Sequence, residues 1–225
     1  MSGDQLTKPA KFIALTPELH AYVVEHGARE DELLRRLAAE TADLGEIAIM
    51  QIAPDQGAFM TLLVRAIGAR RALELGTFTG YSAICIGRGL PDDGILVTCD
   101  VSEQWTTIAR RYFEQAGVAD RIDLRVAPAL ETVRRMPAEE PFDFAFIDAE
   151  KSEYPACYEE VLRLLRPGGV AMLDNVLRGG EVLNPEPADE RGRATRELNK
   201  RIAVDERVDV AMLGVADGIT LVRKR

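Results

Sequence analysis

The sequence predicts an α/β fold in which a mostly parallel sheet carries helices on both faces. Strand-like and helical stretches alternate from Arg71 onward, a pattern typical of parallel strands joined by crossover helices. Residues 71–82 also indicate a short apolar strand that runs through a glycine turn into a helix. Folds of this class bind their ligands outside the carboxyl ends of the strands, so we expect the functional site at that edge of the sheet.

Three helices are expected before the first strand. Thr16-Pro17-Glu18 places an N-cap residue before a proline and an acid, which is the signature of a helix start. Residues 30–44 have the apolar spacing of a helix, and residues 50–57 are expected to form a loop that enters a further helix, which runs to about Gly68. We expect residues 1–49 to form an N-terminal helical segment that acts as a lid or as a dimer contact.

Residues 50–225 are expected to form the core of a single domain, 1–225, with seven strands. The last two strands follow a helix near 192–204 and are spaced as an antiparallel pair. Pro167-Gly168-Gly169 is expected as a break, and residues 176–191 as a long loop over the site. The predicted strands are 71–75, 95–100, 122–126, 142–148, 169–174, 207–213 and 218–224.

Composition excludes several classes of partner. The chain has 225 residues and a formal charge of −9, and an acidic protein lacks the basic surface on which binding to nucleic acid depends. There is no apolar run of about 18 residues and no signal-peptide pattern, so we expect a cytoplasmic protein with no membrane partner. Cys85, Cys99 and Cys157 show no C-x-x-C spacing, which predicts buried or idle thiols.

The glycine turn after the first strand predicts the cofactor. A dinucleotide fingerprint needs G-x-G-x-x-G, and here Phe78 and Tyr81 occupy the second and third glycine positions. A P-loop needs Lys and Ser or Thr after its last glycine, whereas Tyr81 follows Gly80. The turn lacks the parts that hold a pyrophosphate, which favours S-adenosylmethionine, a cofactor with adenosine and ribose but no phosphate.

Acidic residues at the ends of four predicted strands indicate the site. They are Glu74, Asp100, Asp148 and Asp174, and the fold would bring them to one crevice. Asp100 lies where an acid accepts the ribose hydroxyls, and Glu74 would offset the positive charge of the cofactor's amino group or sulfonium. A single acid after an apolar run is usually a turn or cap residue, but four in corresponding places favour a function.

Asp148, Asp174 and Asn175 predict a metal site. Two carboxylates and an amide oxygen suit Mg²⁺, while zinc would favour nitrogen or sulfur ligands. Lys151 follows Asp148 by three residues and would take the proton of a hydroxyl whose pKa the cation lowers. The structural alternatives are an ordinary turn at Asp174-Asn175 and a solvated surface lysine at position 151.

The motifs together resemble the cation-dependent O-methyltransferases of the caffeoyl-CoA and catechol group. The match runs from about Lys11 to Arg225, and it implies a Rossmann-like class I methyltransferase fold with a seven-stranded sheet, and usually a homodimer. The stretches that carry the resemblance are 73–82, 146–151, 173–177, 198–200 and 217–221.

The resemblance also implies roles for individual residues. Asp148, Asp174 and Asn175 would bind Mg²⁺ or another divalent cation, and Lys151 would be the catalytic base beside Asp148. Lys11 matches a lysine that contacts substrate in the plant caffeoyl-CoA enzymes. The implied cofactor contacts are Met50, Ile52, Glu74, Gly76, Thr77, Ser82, Asp100, Ala129, Asp148 and Glu150.

Three positions depart from the family pattern. Glu150 stands where plant enzymes have Asp and catechol methyltransferases have Trp, and Ala127 replaces a common glycine. The loop after Asn175 lacks the Trp-Asn pair of the plant enzymes. Because that loop shapes the acyl side of the pocket, the chain is more similar to bacterial members that act on small catechols than to enzymes for a CoA ester.

The expected reaction is methyl transfer from S-adenosylmethionine to one hydroxyl of a vicinal dihydroxy aromatic, a small phenolic substrate. Two alternatives stay open at this point. One is a metal-independent methyltransferase that acts on another substrate class, and the other is a non-catalytic scaffold that only binds the cofactor. An NAD dehydrogenase is disfavoured because the glycine spacing does not fit.

Overall fold

A computed structural model describes residues 13–186 and 189–225 of the chain. Lys11, which the resemblance predicts to contact substrate, lies outside these residues. The other residues of 1–12, which belong to the predicted N-terminal segment, also lie outside the described residues.

The sheet has the predicted seven strands. They are β1 Arg71–Leu75, β2 Ile95–Asp100, β3 Ile122–Val126, β4 Phe142–Ile147, β5 Leu165–Leu173, β6 Val208–Leu213 and β7 Ile219–Lys224. Their order is β3-β2-β1-β4-β5-β7-β6, with β1 to β5 parallel and β7 antiparallel to both of its neighbours. The strand order reverses between β1 and β4, so the ligand crevice of this fold lies at their carboxyl ends.

Helices cover both faces of the sheet and form two apolar cores. Tyr154, Tyr158 and Leu198 pack in one core, while Leu37 and Met60 pack in the other. The α-helices are α1 Pro17–Val23, α2 Glu32–Ala42, α3 Pro54–Ala66, α4 Tyr81–Gly89, α5 Glu103–Gln115, α6 Ala129–Arg134, α7 Tyr154–Leu164 and α8 Glu190–Ile202. Shorter helical turns are Val24–Ala28, Gly45–Met50, Ala119–Arg121, Lys151–Glu153 and Arg178–Leu183.

The described part of the N-terminal segment is joined to the glycine turn. Thr16 caps α1 as predicted, because its side chain accepts the backbone N–H of Leu19 at 3.3 Å. Thr41 of α2 donates a buried hydrogen bond of 2.8 Å to Thr79, which lies within the turn. The segment therefore lies beside the predicted cofactor turn, and its role as a lid or dimer contact stays a prediction.

Two predicted boundaries were wrong. Pro167-Gly168-Gly169 is not a break, because β5 already begins at Leu165 and passes through it. Phe142 pairs with Leu165 and Phe144 pairs with Val170, so the glycines form a bulge in a continuous strand.

The predicted loop 176–191 also contains regular structure. Its first part forms the turn Arg178–Leu183, and α8 begins at Glu190. Asp189 caps α8 by accepting the backbone N–H of Gly192 at 2.7 Å. A polar side chain that was read as loop composition is therefore a helix-start signal.

Gly45–Ala66 is one stretch that is long and apolar enough to span a bilayer by length and composition. Its backbone is interrupted, because Gln51 is extended and Pro54 starts a new helix. Met60 and Val64 of α3 are buried in the core. Packing within the domain therefore accounts for part of this stretch, since 28% of its most apolar window is buried.

Candidate active site

The glycine turn joins the ends of three strands, and its glycines are required by space. Gly76 has φ +102°, and a Cβ there would lie 2.1 Å from the backbone oxygen of Asp148. Its N–H donates to the carbonyl of Cys99 at 2.9 Å. Gly80 has φ +95°, and a Cβ there would lie 2.7 Å from the ring of Phe113. Both residues adopt the left-handed backbone that favours glycine, so the turn fits closely against β2, β4 and α5.

Asp100 shapes this turn. Its Oδ2 accepts the backbone N–H groups of Thr77 at 3.1 Å and Phe78 at 2.7 Å, and its Oδ1 accepts that of Ser102 at 2.9 Å. A carboxylate has about four acceptor sites, so about one is left for a ribose hydroxyl. The ribose contact stays a prediction, and the sequence did not indicate the structural role that accompanies it.

Glu74 is fully buried beside the turn. Thr98 donates to its Oε2 at 2.6 Å, whereas its Oε1 has no hydrogen-bond partner. Burial raises the pKa of Glu74 to about 8, repulsion from Asp148 and Asp100 adds to the rise, and nearby hydroxyls oppose it. Burying a carboxylate oxygen costs free energy unless it accepts a hydrogen bond from a donor. The site therefore fits a cofactor that brings a cationic donor, such as the amino group of S-adenosylmethionine.

The remaining predicted cofactor residues differ in their surroundings. Thr77, Ser82 and Ile52 are buried near the turn, whereas Met50 is 42% exposed. The predicted contacts stay untested for these residues and for Ala129, the first residue of α6.

Glu150 has a partner that the sequence did not predict. Both of its carboxylate oxygens accept hydrogen bonds of 2.7 Å from the guanidinium of Arg191 on α8. This pairing lowers the pKa of Glu150. The predicted cofactor contact of Glu150 would have to share the carboxylate with this ion pair, and it stays a prediction.

Asp148, Asp174 and Asn175 follow the ends of β4 and β5, as predicted. The N–H of Asp148 donates to the carbonyl of Leu75 at 2.8 Å, and that of Asp174 donates to the carbonyl of Ile147 at 3.1 Å. These bonds bring the ends of β1, β4 and β5 together. Asn175 has φ +51°, a conformation that Asn tolerates better than most residues, and its N–H donates to Asp174 Oδ1 at 2.8 Å.

The surroundings of Asp174 disfavour its charged form. Burial raises the pKa of Asp174 to about 7, repulsion from Asp148 adds to this rise, and the positive charge of Lys151 opposes it. Two carboxylates and an amide that follow the ends of adjacent strands offer an oxygen donor set of the kind that binds Mg²⁺. Within residues 13–186 and 189–225, no group of three or more His, Cys, Asp and Glu side chains has a metal-binding arrangement. The cation therefore stays a prediction.

Lys151 is a buried side chain and not a solvated surface group. It is 12% exposed, and its Nζ donates to Asp148 Oδ1 at 2.6 Å and to the hydroxyl of Tyr154. Tyr154 is fully buried, and burial together with the nearby aspartates raises its pKa well above the usual value. The sequence analysis missed Tyr154, although its place three residues after Lys151 at a helix start was a usable signal.

Other candidate residues lie apart from this arrangement. Cys85, Cys99 and Cys157 are free and buried, as predicted. Burial raises the pKa of each of these thiols to about 12, so they are poor nucleophiles. His20 lies 3.3 Å from Asp55, in the contact between the N-terminal helices and α3.

Comparisons with known proteins agree with this geometry. A family model described as O-methyltransferase matches residues 24–225. The chain is 34% identical to probable caffeoyl-CoA O-methyltransferase 2 of Dictyostelium discoideum, over 98% of this chain and 99% of that protein. It is 40% identical to catechol O-methyltransferase domain-containing protein 1 of Mus musculus, over 93% of this chain and 82% of that protein. The O-methyltransferase TomG of Streptomyces achromogenes, solved in complex with S-adenosylmethionine, is 33% identical with a TM-score of 0.83, over 92% of this chain and 96% of that one.

Proposed function

The chain belongs to the O-methyltransferase family and is an S-adenosylmethionine-dependent O-methyltransferase, and we propose that it methylates one hydroxyl of a catechol-like small molecule with the help of Mg²⁺ or another divalent cation. The observation that carries the proposal is the group formed by Asp148, Asp174 and Lys151, next to the turn that contains Gly76. A basic side chain and two carboxylates at the carboxyl ends of adjacent strands suit the deprotonation of an acceptor hydroxyl.

The cofactor and the cation would each supply one part of the chemistry. When bound, S-adenosylmethionine supplies a methyl group on a positively charged sulfur, and a divalent cation lowers the pKa of an acceptor hydroxyl. Glu74 would bind the cofactor's amino group through its unpartnered Oε1, and Asp100 would accept a ribose hydroxyl. Asp148, Asp174 and Asn175 would hold the cation.

Lys151 would act as the general base. Its Nζ would first release a proton to solvent and, as the neutral amine, would receive the proton of the acceptor hydroxyl. The oxygen left behind would bond to the methyl carbon as the carbon–sulfur bond breaks, which leaves a neutral thioether. The low exposure of Lys151 and Asp174 keeps bulk water from the transferred proton. Since attack neutralises the charges of the phenolate and the sulfonium, a site with little water favours the transition state.

The acceptor is proposed to be a small catechol. Arg178 stands in the loop where the plant enzymes of the group have Trp, and Leu177-Arg178-Gly179-Gly180 forms a tight turn with three residues at positive φ. The printed name of the mouse relative, which contains catechol O-methyltransferase, supports the same class of acceptor. The caffeoyl-CoA names of other relatives make a CoA ester the competing substrate to test.

A homodimer is part of the proposal. Ile47, Ile49 and Met50 are exposed apolar residues in the turn before α3, and Leu62 is an exposed apolar residue within α3. Covering such residues with a second copy would remove apolar surface from water. Light scattering on the purified chain should give twice the chain mass of 24.8 kDa, and a monomer at micromolar concentration would contradict this.

The test of the proposed function is methyl transfer to caffeic acid with Mg²⁺ and then with excess EDTA. We expect turnover with Mg²⁺, its loss in EDTA and its recovery when Mg²⁺ is added back. Asp174→Asn should lose turnover under all three conditions.

Two other outcomes would change the proposal. Turnover that is indifferent to EDTA would identify a metal-independent methyltransferase. Absence of turnover together with calorimetric binding of S-adenosylmethionine would reject the catechol class of acceptor and keep the family assignment.

A further inference from the structure

Tyr154 lies beside the proposed base and has no role in the mechanism above. It is the first residue of α7, and its side chain is fully buried. Its hydroxyl contacts the Nζ of Lys151, the backbone oxygen of Ile147 at 3.1 Å and the backbone oxygen of Asp174 at 3.2 Å. The ring lies under the same Nζ, 4.4 Å from ring centre to nitrogen.

The chemistry of these groups fixes the direction of each hydrogen bond. A lysine ammonium has three donors and no acceptor, so the phenol oxygen must accept from Lys151. A phenol has one hydrogen, which the two carbonyls of Ile147 and Asp174 therefore share. The hydroxyl thus joins the lysine to the last residue of β4 and to the residue that follows β5.

We propose that Tyr154 is a positioning residue for Lys151, and this inference rests on the proposed role of Lys151 as the base. A lysine side chain is a flexible four-carbon stem, and it needs more than one fixed partner to stay in one place. Its other partner, Asp148, is also a proposed cation ligand, so its carboxylate would contact both the lysine and the cation. The hold of Tyr154 on the lysine is anchored to backbone carbonyls.

Tyr158 supplies a matched control. It lies one turn later on α7 and is also fully buried, but its hydroxyl donates to Asp205 Oδ2 at 2.9 Å. Tyr154→Phe and Tyr158→Phe each remove one buried hydroxyl from the same helix and keep the ring. Only the first substitution removes a contact to Lys151.

The first readout needs neither cofactor nor turnover. The chain has five lysines, so ¹³C-labelled lysine gives a simple spectrum in which Lys151→Met identifies the Lys151 signal. We expect two distinct ε-methylene proton signals for Lys151 in the wild type and in Tyr158→Phe. In Tyr154→Phe we expect a single averaged signal, as for a mobile lysine. Unchanged distinct signals in Tyr154→Phe would overturn the proposal.

The second readout is steady-state kinetics with caffeic acid and Mg²⁺. Tyr154→Phe should lower kcat by about tenfold to a hundredfold, because a misplaced catalytic group costs rate and not binding. The KM values for S-adenosylmethionine and caffeic acid should stay within about twofold of wild type. Tyr158→Phe should match wild type in all three parameters, so loss of a buried hydroxyl alone would not explain the change.

The outcomes separate this inference from the proposed function. An unchanged kcat in Tyr154→Phe, with an active wild type, would overturn the positioning role. An inactive wild type would reject the proposed acceptor, and the lysine spectrum would then decide the positioning role alone. If Tyr154→Phe does not fold, a wild-type nuclear Overhauser effect between the Lys151 ε-methylene and the Tyr154 ring decides, and its absence overturns the proposal.

Discussion

The two halves of the site are held in place by different kinds of interaction. The glycine-turn half is formed by Glu74, Gly76 and Asp100, and backbone hydrogen bonds fix its shape. Asp100 alone accepts three backbone N–H groups. In the carboxylate half, formed by Asp148, Lys151, Asp174 and Asn175, charged side chains hold one another, as in the 2.6 Å contact between Lys151 and Asp148.

This difference suits the two ligands of the proposed function, an organic cofactor and a cation. A turn fixed by backbone hydrogen bonds presents a preformed surface to an organic cofactor and has little freedom to rearrange. Burial and repulsion from Asp148 raise the pKa of Asp174, so added positive charge is favoured in the carboxylate half. The first half is therefore sensitive to shape and the second half to charge.

The largest expected effect is a loss of stability when a side chain is added within the glycine turn. Gly76→Ala would combine a left-handed backbone with a Cβ 2.1 Å from the backbone oxygen of Asp148. We expect the free energy of unfolding to fall by about 2–6 kcal/mol, from strain and overpacking together. Urea denaturation measures this, with Gly214→Ala as the control because no atom lies within 4 Å of its added Cβ. Equal losses in the two variants would contradict the close fit of the turn.

The next effect is on chemistry alone. Lys151→Met should lower kcat for caffeic acid by about 10²–10⁴-fold, since it removes the proposed base. The affinity for S-adenosylmethionine should change little, because that ligand belongs to the other half. Lys200→Met on the exposed face of α8 is the matched control. A Lys151→Met variant with more than about half of the wild-type kcat would exclude the base role.

The pH dependence of stability tests whether Glu74 of the glycine-turn half is buried and protonated. The unfolded chain loses the Glu74 proton near the usual pKa of 4.5, whereas the fold keeps it until about 8. The folded state therefore binds more protons between these values, and the unfolding free energy falls as pH rises through that window, by up to about 1.4 kcal/mol per pH unit. The Glu74→Gln variant has no proton to lose at this position, so it lacks this contribution to the pH dependence. Urea denaturation at pH 5 and pH 7.5 should show a smaller decline for the variant, and parallel declines would contradict the buried, protonated state.

The smallest effect is expected at the ion pair between Glu150 and Arg191. Glu150 and Arg191 form a two-bond ion pair, but their side chains are 44% and 57% exposed. Arg191→Ala should change the unfolding free energy by about 0–1 kcal/mol because solvent screens the pair. A double-mutant cycle with Glu150→Gln measures the coupling directly. A coupling well above 1 kcal/mol would make this pair part of the site's support.

The fold and the positions of the acids at the strand ends could be predicted because both follow from local patterns. Alternating strands and helices give the sheet, and acids that follow apolar runs must meet at its carboxyl edge. Asp100, Asp148 and Asp174 were found in this way. The boundaries of β5 and α8 were wrong because glycines and an aspartate in a polar stretch have two interpretations.

The contacts that position the site could not be predicted from local patterns. The hydroxyl of Tyr154 meets the carbonyl of Asp174, twenty residues away, and Thr98 meets Glu74 across neighbouring strands. The first pair depends on how α7 packs against the sheet and the second on strand register, and a single sequence specifies neither. The unpartnered Oε1 of Glu74 likewise became visible only when its surroundings were known.

The most direct test of the central claim is a calorimetric titration of Mg²⁺ into the chain without substrate. We expect one ion per chain in the wild type, none in Asp174→Asn, and one in Asp209→Asn, a control in which an exposed aspartate paired with Arg225 is changed. Binding of S-adenosylmethionine should survive in all three proteins. If Mg²⁺ binds the wild type and Asp174→Asn equally, or binds neither, the carboxylate half is not a cation site and the proposed division of the crevice is wrong.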